Sequence, residues 1–198
     1  MNAAVSCPLI SSFACSKPQA NDFLKDALAG LSRTPKRIPS KYFYDRRGSD
    51  LFEAITRQPE YYLTRVEQAL LDTRIPAIAE AVGSGVHVVE YGSGSGRKTR
   101  QLLQGLRGPV AYTPVEISCS ALEETTARLA SAFPTIEMLP VCADFTQPVP
   151  LPQPTRETGH TLVFFPGSTL GNFTHDDAAL LLRSMRETMG SRGQALVG

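Results

Sequence analysis

The sequence predicts an α/β domain with a parallel, doubly wound β-sheet. A β-branched run over residues 86–89 leads into a glycine-rich turn and then a helical segment, which is the opening unit of such a domain. Strand-like and helix-like segments then alternate to the end of the chain. Short connections between parallel strands favour right-handed crossovers, so a single parallel sheet follows. With 198 residues, 42% of them hydrophobic, the chain can bury the core of one domain.

The segments that precede this sheet are predicted to be helical. Residues 22–31 have a short amphipathic pattern that ends near a glycine. Ser49 is expected to cap the next helix. Thr64 and Glu67 have the spacing of a capping box, which predicts a third helix that runs to about Val82.

Aromatic residues are concentrated between these predicted helices, at residues 42–44 and 61–62. They have two explanations. The helices and their aromatic side chains pack as a flap over the edge of the sheet, or Tyr44, Tyr61 and Tyr62 line a pocket and offer hydroxyl groups to a small polar ligand. Composition alone favours packing.

The glycine-rich turn indicates a binding site. An acidic residue is followed by three glycines at alternate positions: Glu90, Gly92, Gly94 and Gly96. Glycines at this point let a ligand approach the backbone at the helix N-terminus. A dinucleotide motif would need a glycine where Arg97 stands, so that motif is excluded. The pattern resembles motif I of S-adenosylmethionine (SAM)-dependent methyltransferases. A glycine turn without a ligand and a different nucleotide site remain alternatives.

Further strands and helices alternate beyond the glycines. Helices are predicted over residues 98–106, 120–132 and 174–189, and strands over residues 110–117, 136–141, 161–165 and 194–197. Numbered along the chain, the five strands are expected in the order 3-2-1-4-5. The apolar last strand would then lie at an edge, where exposed apolar strands tend to aggregate.

Acidic residues follow two successive strands after the glycines. Glu116 stands 20 residues beyond Gly96, where a carboxylate can accept both hydroxyl groups of an adenosine ribose. A solvated acid at a strand end is the alternative. Asp144 ends the next strand, where it could accept the amino group of an adenine while Phe145 packs on the ring.

Composition excludes several classes of function. The net charge of +1 gives no indication of nucleic acid or an anionic membrane as a partner, and no run of about 20 apolar residues exists. The four cysteines and three histidines lack metal-ligand spacing, so no metal is expected. The cysteines are expected to be reduced thiols in a cytoplasmic monomer.

Five motifs in one order resemble the histidine-specific SAM-dependent methyltransferase family, which includes the L-histidine Nα-methyltransferase of ergothioneine biosynthesis. They cover residues 41–67, 90–100, 114–118, 144–148 and 164–173, and the likeness extends over residues 22–198. The chain departs from the family in three respects. Gly96 stands where serine is common, Glu116 stands where aspartate is common, and the family's C-terminal part is absent.

The resemblance implies a Rossmann-like class I methyltransferase fold with an N-terminal helical flap. It implies SAM as the cofactor, bound by Gly92, Gly94, Gly96, Lys98, Glu116, Asp144 and Phe145. It also implies an L-histidine site formed by Tyr44, Tyr61, Gly167 and Asn172, with Asn172 and Tyr44 as the catalytic pair. The implied reaction transfers three methyl groups to the α-amino group and gives trimethylhistidine.

Three parts of the chain are expected: a disordered terminus over residues 1–20, a helical segment over 21–83 that forms part of the substrate site, and a SAM-binding core over 84–198. The core is expected to be incomplete at its C-terminus, with low solubility and no measurable methyl transfer. Two alternatives remain, because the residues that recognise the imidazole ring in the family belong to its C-terminal part. One is a methyltransferase for another amino-acid amine, such as a prenylated tryptophan, and the other is a non-catalytic SAM-binding module.

Overall fold

A parallel sheet of seven strands forms the centre of the structure, a computed structural model that describes residues 14–15 and 20–198. The strands are β1 (Ala14–Cys15), β2 (Val86–Tyr91), β3 (Ala111–Glu116), β4 (Glu137–Met138), β5 (Val141–Cys142), β6 (His160–Phe165) and β7 (Gln194–Val197). The helices are α1 (Ala20–Leu31), α2 (Arg46–Ile55), α3 (Leu63–Val82), α4 (Arg97–Gly105), α5 (Cys119–Ala132) and α6 (His175–Met189), with 3-10 turns at Ser40–Phe43 and Thr169–Asn172. No helix in the described ranges is long and apolar enough to cross a membrane.

The predicted strand order is confirmed. The sheet runs β1-β5-β3-β2-β6-β7, and β4 pairs with β3. The predicted strand over residues 136–141 is two short strands, because Pro140 between them has no amide hydrogen for the ladder. The disordered terminus predicted over residues 1–20 falls outside the described residues, except that Ala14–Cys15 pair with β5 in parallel.

The sheet is covered on both faces, as the alternation of side chains along β2 requires. Val86 and Val88 join a cluster with apolar residues of α3, α4 and α5. Val89 and Tyr91 join a second cluster with apolar residues of α6. All six residues of β2 are buried, so the central strand and the turn that follows it are held from both sides.

The start of α2 differs from the prediction. The helix begins at Arg46, and the Asp45 side chain caps it by accepting a hydrogen bond of 2.7 Å from the Gly48 amide. Ser49 lies inside the helix, so its predicted capping role is wrong. Asp45 lies upstream of Ser49, so the chain enters the helix before it reaches Ser49.

The predicted capping box of α3 is also wrong. Tyr62 occupies the N-cap position and makes no capping hydrogen bond through its side chain. Thr64 lies within the helix. The Glu67 carboxylate instead reaches away from α3 and accepts a hydrogen bond from the Gly167 amide, 100 residues further along the chain.

Two of the cysteines form a disulfide, so the prediction that all four are reduced is wrong. Cys119 at the start of α5 is joined to Cys142 at the end of β5, with their Cα atoms 5.3 Å apart. That separation lies in the range where disulfides form. Since α5 lies between them, their spacing in the sequence gave no sign of the pairing. Cys7 lies outside the described residues.

The corrected start of α2 is testable by comparing two candidate caps. Asp45→Ala should lower the free energy of unfolding by about 1 kcal/mol, because the Gly48 amide loses its acceptor. Ser49→Ala is the matched control and should change it by less than half as much. Urea unfolding followed by circular dichroism measures both. A larger loss for Ser49→Ala would contradict the assignment.

Candidate active site

The predicted site residues come together around one cleft of about 1660 Å³ at the carboxyl ends of β2, β3, β5 and β6. The residues that the family resemblance implies for the site all line it: Tyr44, Tyr61, Gly92, Gly94, Gly96, Lys98, Glu116, Asp144, Phe145, Gly167 and Asn172. Tyr62, which the pocket explanation also included, is 59% exposed and does not line the cleft. The flap, residues 21–83, supplies part of the wall, so its aromatic residues face a cavity as well as packing on one another.

The glycine turn has a backbone that requires glycine. Gly92, Gly94 and Gly96 have φ angles of 78°, 48° and 69°. A Cβ on Gly96 would lie 2.5 Å from the Cγ2 atom of Thr125, so a serine would not fit there unless α5 moved. Thr125 also donates a hydrogen bond of 3.0 Å to the Gly94 carbonyl. Thr125 therefore occupies the space that a side chain at position 96 would need.

Glu116 and Asp144 lie at the ends of neighbouring strands, as predicted. Glu116 is 8% exposed, and its carboxylate accepts hydrogen bonds of 3.1 Å from the amides of Gly94 and Ser118. Burial raises the pKa of Glu116, and these amides oppose the shift. Asp144 accepts from the Thr146 amide at 3.0 Å and pairs with Lys41 of the flap at 3.2 Å.

Glu90 is the most buried acid of the site, and the sequence did not indicate its burial. It is 1% exposed, and one carboxyl oxygen accepts hydrogen bonds from the hydroxyl groups of Thr99 and Tyr112. Burial raises the pKa of Glu90 to about 8, although both hydroxyl groups oppose the shift. The feature of the sequence that could have indicated this burial is Tyr112, a hydrogen-bond donor within the neighbouring buried strand β3.

The aromatic residues of the flap form a connected group that includes a residue the sequence did not single out. Phe52 of α2 lies between Tyr44 and Tyr61, with ring centroids 6.3 Å and 6.0 Å away. All three line the cleft. Burial raises the pKa of Tyr44, so its hydroxyl group keeps its proton at neutral pH.

The remaining predicted residues lie in the loops that follow β5 and β6. Phe145 packs against Tyr91 and Phe165, each with a centroid separation of 5.8 Å. Asn172 ends a 3-10 turn and is exposed. Gly167 has a φ angle of 93° and donates its amide to Glu67.

Charged residues of the flap pair with residues at the cofactor end of the cleft. Lys41 pairs with Asp144, Glu53 with Arg97 at 2.6 Å, and Glu67 with Lys98. The sequence pointed to none of these pairs, because each joins segments more than 30 residues apart. They bring the flap onto the glycine turn and the end of β5.

Comparison with known proteins identifies the family. The sequence model of the family described as "Histidine-specific methyltransferase, SAM-dependent" matches residues 23–198. The chain belongs to this family. A histidine N-alpha-methyltransferase of Mycolicibacterium smegmatis is 36% identical over 192 residues, which are 96% of this chain and 59% of that enzyme. An ergothioneine biosynthesis protein 1 of Neurospora crassa is 30% identical over 168 residues, which are 83% of this chain and 19% of that protein.

A solved structure supports the class I methyltransferase fold. A protein of Methanococcus maripaludis, described as an S-adenosyl-L-methionine-dependent methyltransferase, superposes with a TM-score of 0.52 over 78% of this chain and 63% of that one, at 18% identity. At this level of identity the likeness concerns the fold alone. The chain spans little more than half of the Mycolicibacterium relative.

SAM is the cofactor of the histidine-specific methyltransferase family, and the cleft fits such a group. The Ser93 hydroxyl group is buried at the cleft wall and has no hydrogen-bond partner among the described residues. Buried hydroxyl groups are normally bonded, so this one has capacity for a polar ligand. A Cβ on Gly92 would contact the Phe145 ring at 3.6 Å and narrow the space beside it. Among the described residues no cluster suited to a metal ion was found.

The raised pKa of Glu90 predicts a pH dependence of stability. Between pH 4.5 and about 8 the carboxyl group keeps its proton in the folded state and loses it in the unfolded state. Stability should therefore fall as pH rises through this window, by at most about 1.4 kcal/mol per pH unit. Glu90→Gln cannot ionise and should remove that part of the dependence. Urea unfolding at pH 5, 6.5 and 8 measures the free energy of unfolding of the unmodified chain and of Glu90→Gln. The same pH dependence in both proteins would contradict the raised pKa of Glu90.

Proposed function

We propose that the chain provides the cofactor site and much of the amino-acid site of an enzyme that methylates the α-amino group of L-histidine. The proposed product is trimethylhistidine, formed by three successive transfers in ergothioneine biosynthesis. The observation that carries the proposal is the convergence of the family's motifs on one cleft. The 36% identity to a histidine N-alpha-methyltransferase supports it.

In this proposal the cofactor end of the cleft holds SAM through polar groups of three segments. Glu116 accepts the ribose hydroxyl groups, Asp144 accepts the adenine amino group, and Phe145 packs on the ring. The Lys98 ammonium group pairs with the carboxylate of the bound cofactor. The backbone of the glycine turn lies closest to the ligand, because side chains there would obstruct it.

When SAM is bound, its sulfonium supplies an activated methyl group, so the protein has to align the acceptor and exclude water. Asn172 accepts an N–H of the amine through its side-chain oxygen, which directs the lone pair. The Tyr44 hydroxyl group, which keeps its proton, and Tyr61 hold the amino-acid backbone. Gly167 leaves room beside them.

The aromatic group of the flap suits the later transfers. Each methylation removes an N–H from the amine, and the last product has a quaternary ammonium that offers no hydrogen bond. A cation of this kind is stabilised by aromatic faces. Tyr44, Phe52 and Tyr61 provide such faces along the wall of the cleft. This arrangement supports a substrate amine that becomes fully methylated.

The proposed activity is tested by mass spectrometry of L-histidine incubated with SAM. The 198-residue chain should give no methylated product, and the chain fused to the C-terminal part of the Mycolicibacterium relative should give mono-, di- and trimethylhistidine. Transfer by the fusion to a prenylated tryptophan in place of histidine would favour the alternative substrate. Binding of S-adenosylhomocysteine (SAH) with no transfer to either would favour a non-catalytic module.

In the same fusion protein, single substitutions in the two halves of the cleft should affect SAH binding and histidine binding differently. Glu116→Ala should weaken SAH binding, because it removes the proposed ribose acceptor. Asn172→Leu should weaken histidine binding more than SAH binding, by about 0.5–1.5 kcal/mol, because the amine loses a hydrogen-bond partner. Calorimetry with each ligand measures both.

Glu123→Ala is the matched control for Glu116→Ala, since Glu123 is an exposed acid on α5 and lies outside the cleft lining. SAH binding by Glu116→Ala as tight as by this control would refute the ribose assignment. Equal losses of both ligands in Asn172→Leu would indicate a folding defect and refute its role toward the amine.

A further inference from the structure

Glu67 connects two segments that lie far apart in the chain. One carboxylate oxygen accepts a hydrogen bond of 2.8 Å from the Gly167 amide, in the loop after β6. The other contacts the ammonium group of Lys98, in the first turn of α4, and lies 3.1 Å from the same Gly167 amide. The side chains of Glu67 and Lys98 are 18% and 16% exposed, so the pair is shielded from most of the solvent. All three residues line the cleft.

The loop after β6 needs an external constraint. Gly167 and Ser168 have φ angles of 93° and 55°, two consecutive left-handed residues, and Ser168 is the one non-glycine residue with positive φ in the described part of the chain. A non-glycine residue in this region is strained and persists where its surroundings hold it. The hydrogen bond from the Gly167 amide to Glu67 fixes the loop at this point.

The ammonium group of Lys98 is held against the same loop. A Cβ on Gly167 would lie 3.6 Å from the Lys98 Nζ atom, so the ammonium group sits directly beside the Gly167 backbone. A lysine side chain has several rotatable bonds and three donors, and an exposed one samples many directions. With one donor engaged by Glu67, the remaining donors have fixed directions.

We propose that Glu67 is a positioning residue for methyl transfer. Its carboxylate directs the Lys98 ammonium group on the cofactor side and fixes Gly167 on the acceptor side, so one side chain sets the spacing between donor and acceptor. The inference rests on the proposed function, which assigns Lys98 and Gly167 to those sides. Transfer depends on this spacing because reacting atoms must be held within about 3–3.5 Å in the correct alignment.

The negative charge and both oxygens of Glu67 are needed for this role. Each oxygen faces a donor, the ammonium group on one side and a backbone amide on the other. Glu67→Gln replaces one oxygen with an amide NH2 group, which is itself a donor, so a single oxygen is left to accept from both Lys98 and the Gly167 amide. The charge-assisted contact to Lys98 is also weakened.

The test is a double-mutant cycle on SAH binding with the 198-residue chain, followed by calorimetry. Glu67→Gln should bind SAH roughly tenfold more weakly, the size expected for a lost charged hydrogen bond. Lys98→Met should also bind weakly. If Glu67 acts through Lys98, the double variant should bind no more weakly than Lys98→Met alone, since interacting residues are not additive.

Asp72→Asn is the matched control. Asp72 also belongs to α3 and also contacts α4, where it accepts from the Gln101 side chain, but neither residue lines the cleft. It undergoes the same carboxylate-to-amide change at the same helix pair, and SAH binding should stay as in the unmodified chain. A similar loss in Asp72→Asn would show that Glu67 acts through helix packing and would overturn the inference.

Two further outcomes overturn the inference alone: SAH binding by Glu67→Gln as tight as by the unmodified chain, or fully additive losses in the double variant. Failure of the unmodified chain to bind SAH would overturn the proposed function together with the inference. Glu67→Asp guards against a folding defect, because it keeps the charge but is too short to make both contacts. It should lose binding to an intermediate extent, with unchanged circular dichroism.

Discussion

The structure depends on how the end of the central strand is fixed. Glu90 is the penultimate residue of β2, and its buried carboxyl group accepts hydrogen bonds from Thr99 on α4 and Tyr112 on β3. These two contacts join the strand, its neighbour and the helix after the glycine turn at one point. The turn between them is short, so its backbone has little freedom once both ends are held. A carboxyl group that stays protonated in the folded state costs less to bury than a carboxylate.

The two halves of the cleft are held by different forces. The cofactor half is built on buried strands with apolar clusters on both faces. The flap buries little: α2 has no buried residue, and α3 buries Leu71, Ala79 and Val82. Its contacts with the glycine turn and the end of β5 include partly exposed ion pairs, each worth at most about 1 kcal/mol. Segments with few buried contacts open at lower free energy, so the flap is the half expected to open first.

The sequence was informative where structure is determined locally. The alternation of strand-like and helix-like segments predicted the strand order, and the family resemblance named residues that line one cleft. It failed where an upstream residue took the predicted role, as Asp45 does in place of Ser49, or where a local pattern concealed a distant contact, as with Glu67. The disulfide could not be read from the sequence, because it depends on where α5 returns to the sheet.

The residues at positions 96 and 116 are matched to their neighbours in the glycine turn. A glycine at position 96 accommodates the β-branched side chain of Thr125, and that residue in turn binds the Gly94 carbonyl. Glu116 reaches the Gly94 amide from the end of β3. Both contacts therefore meet at Gly94, where Thr125 holds the carbonyl and Glu116 holds the amide. The glycine turn keeps its shape because Glu116 and Thr125 hold the two peptide groups that flank the Gly94 Cα atom.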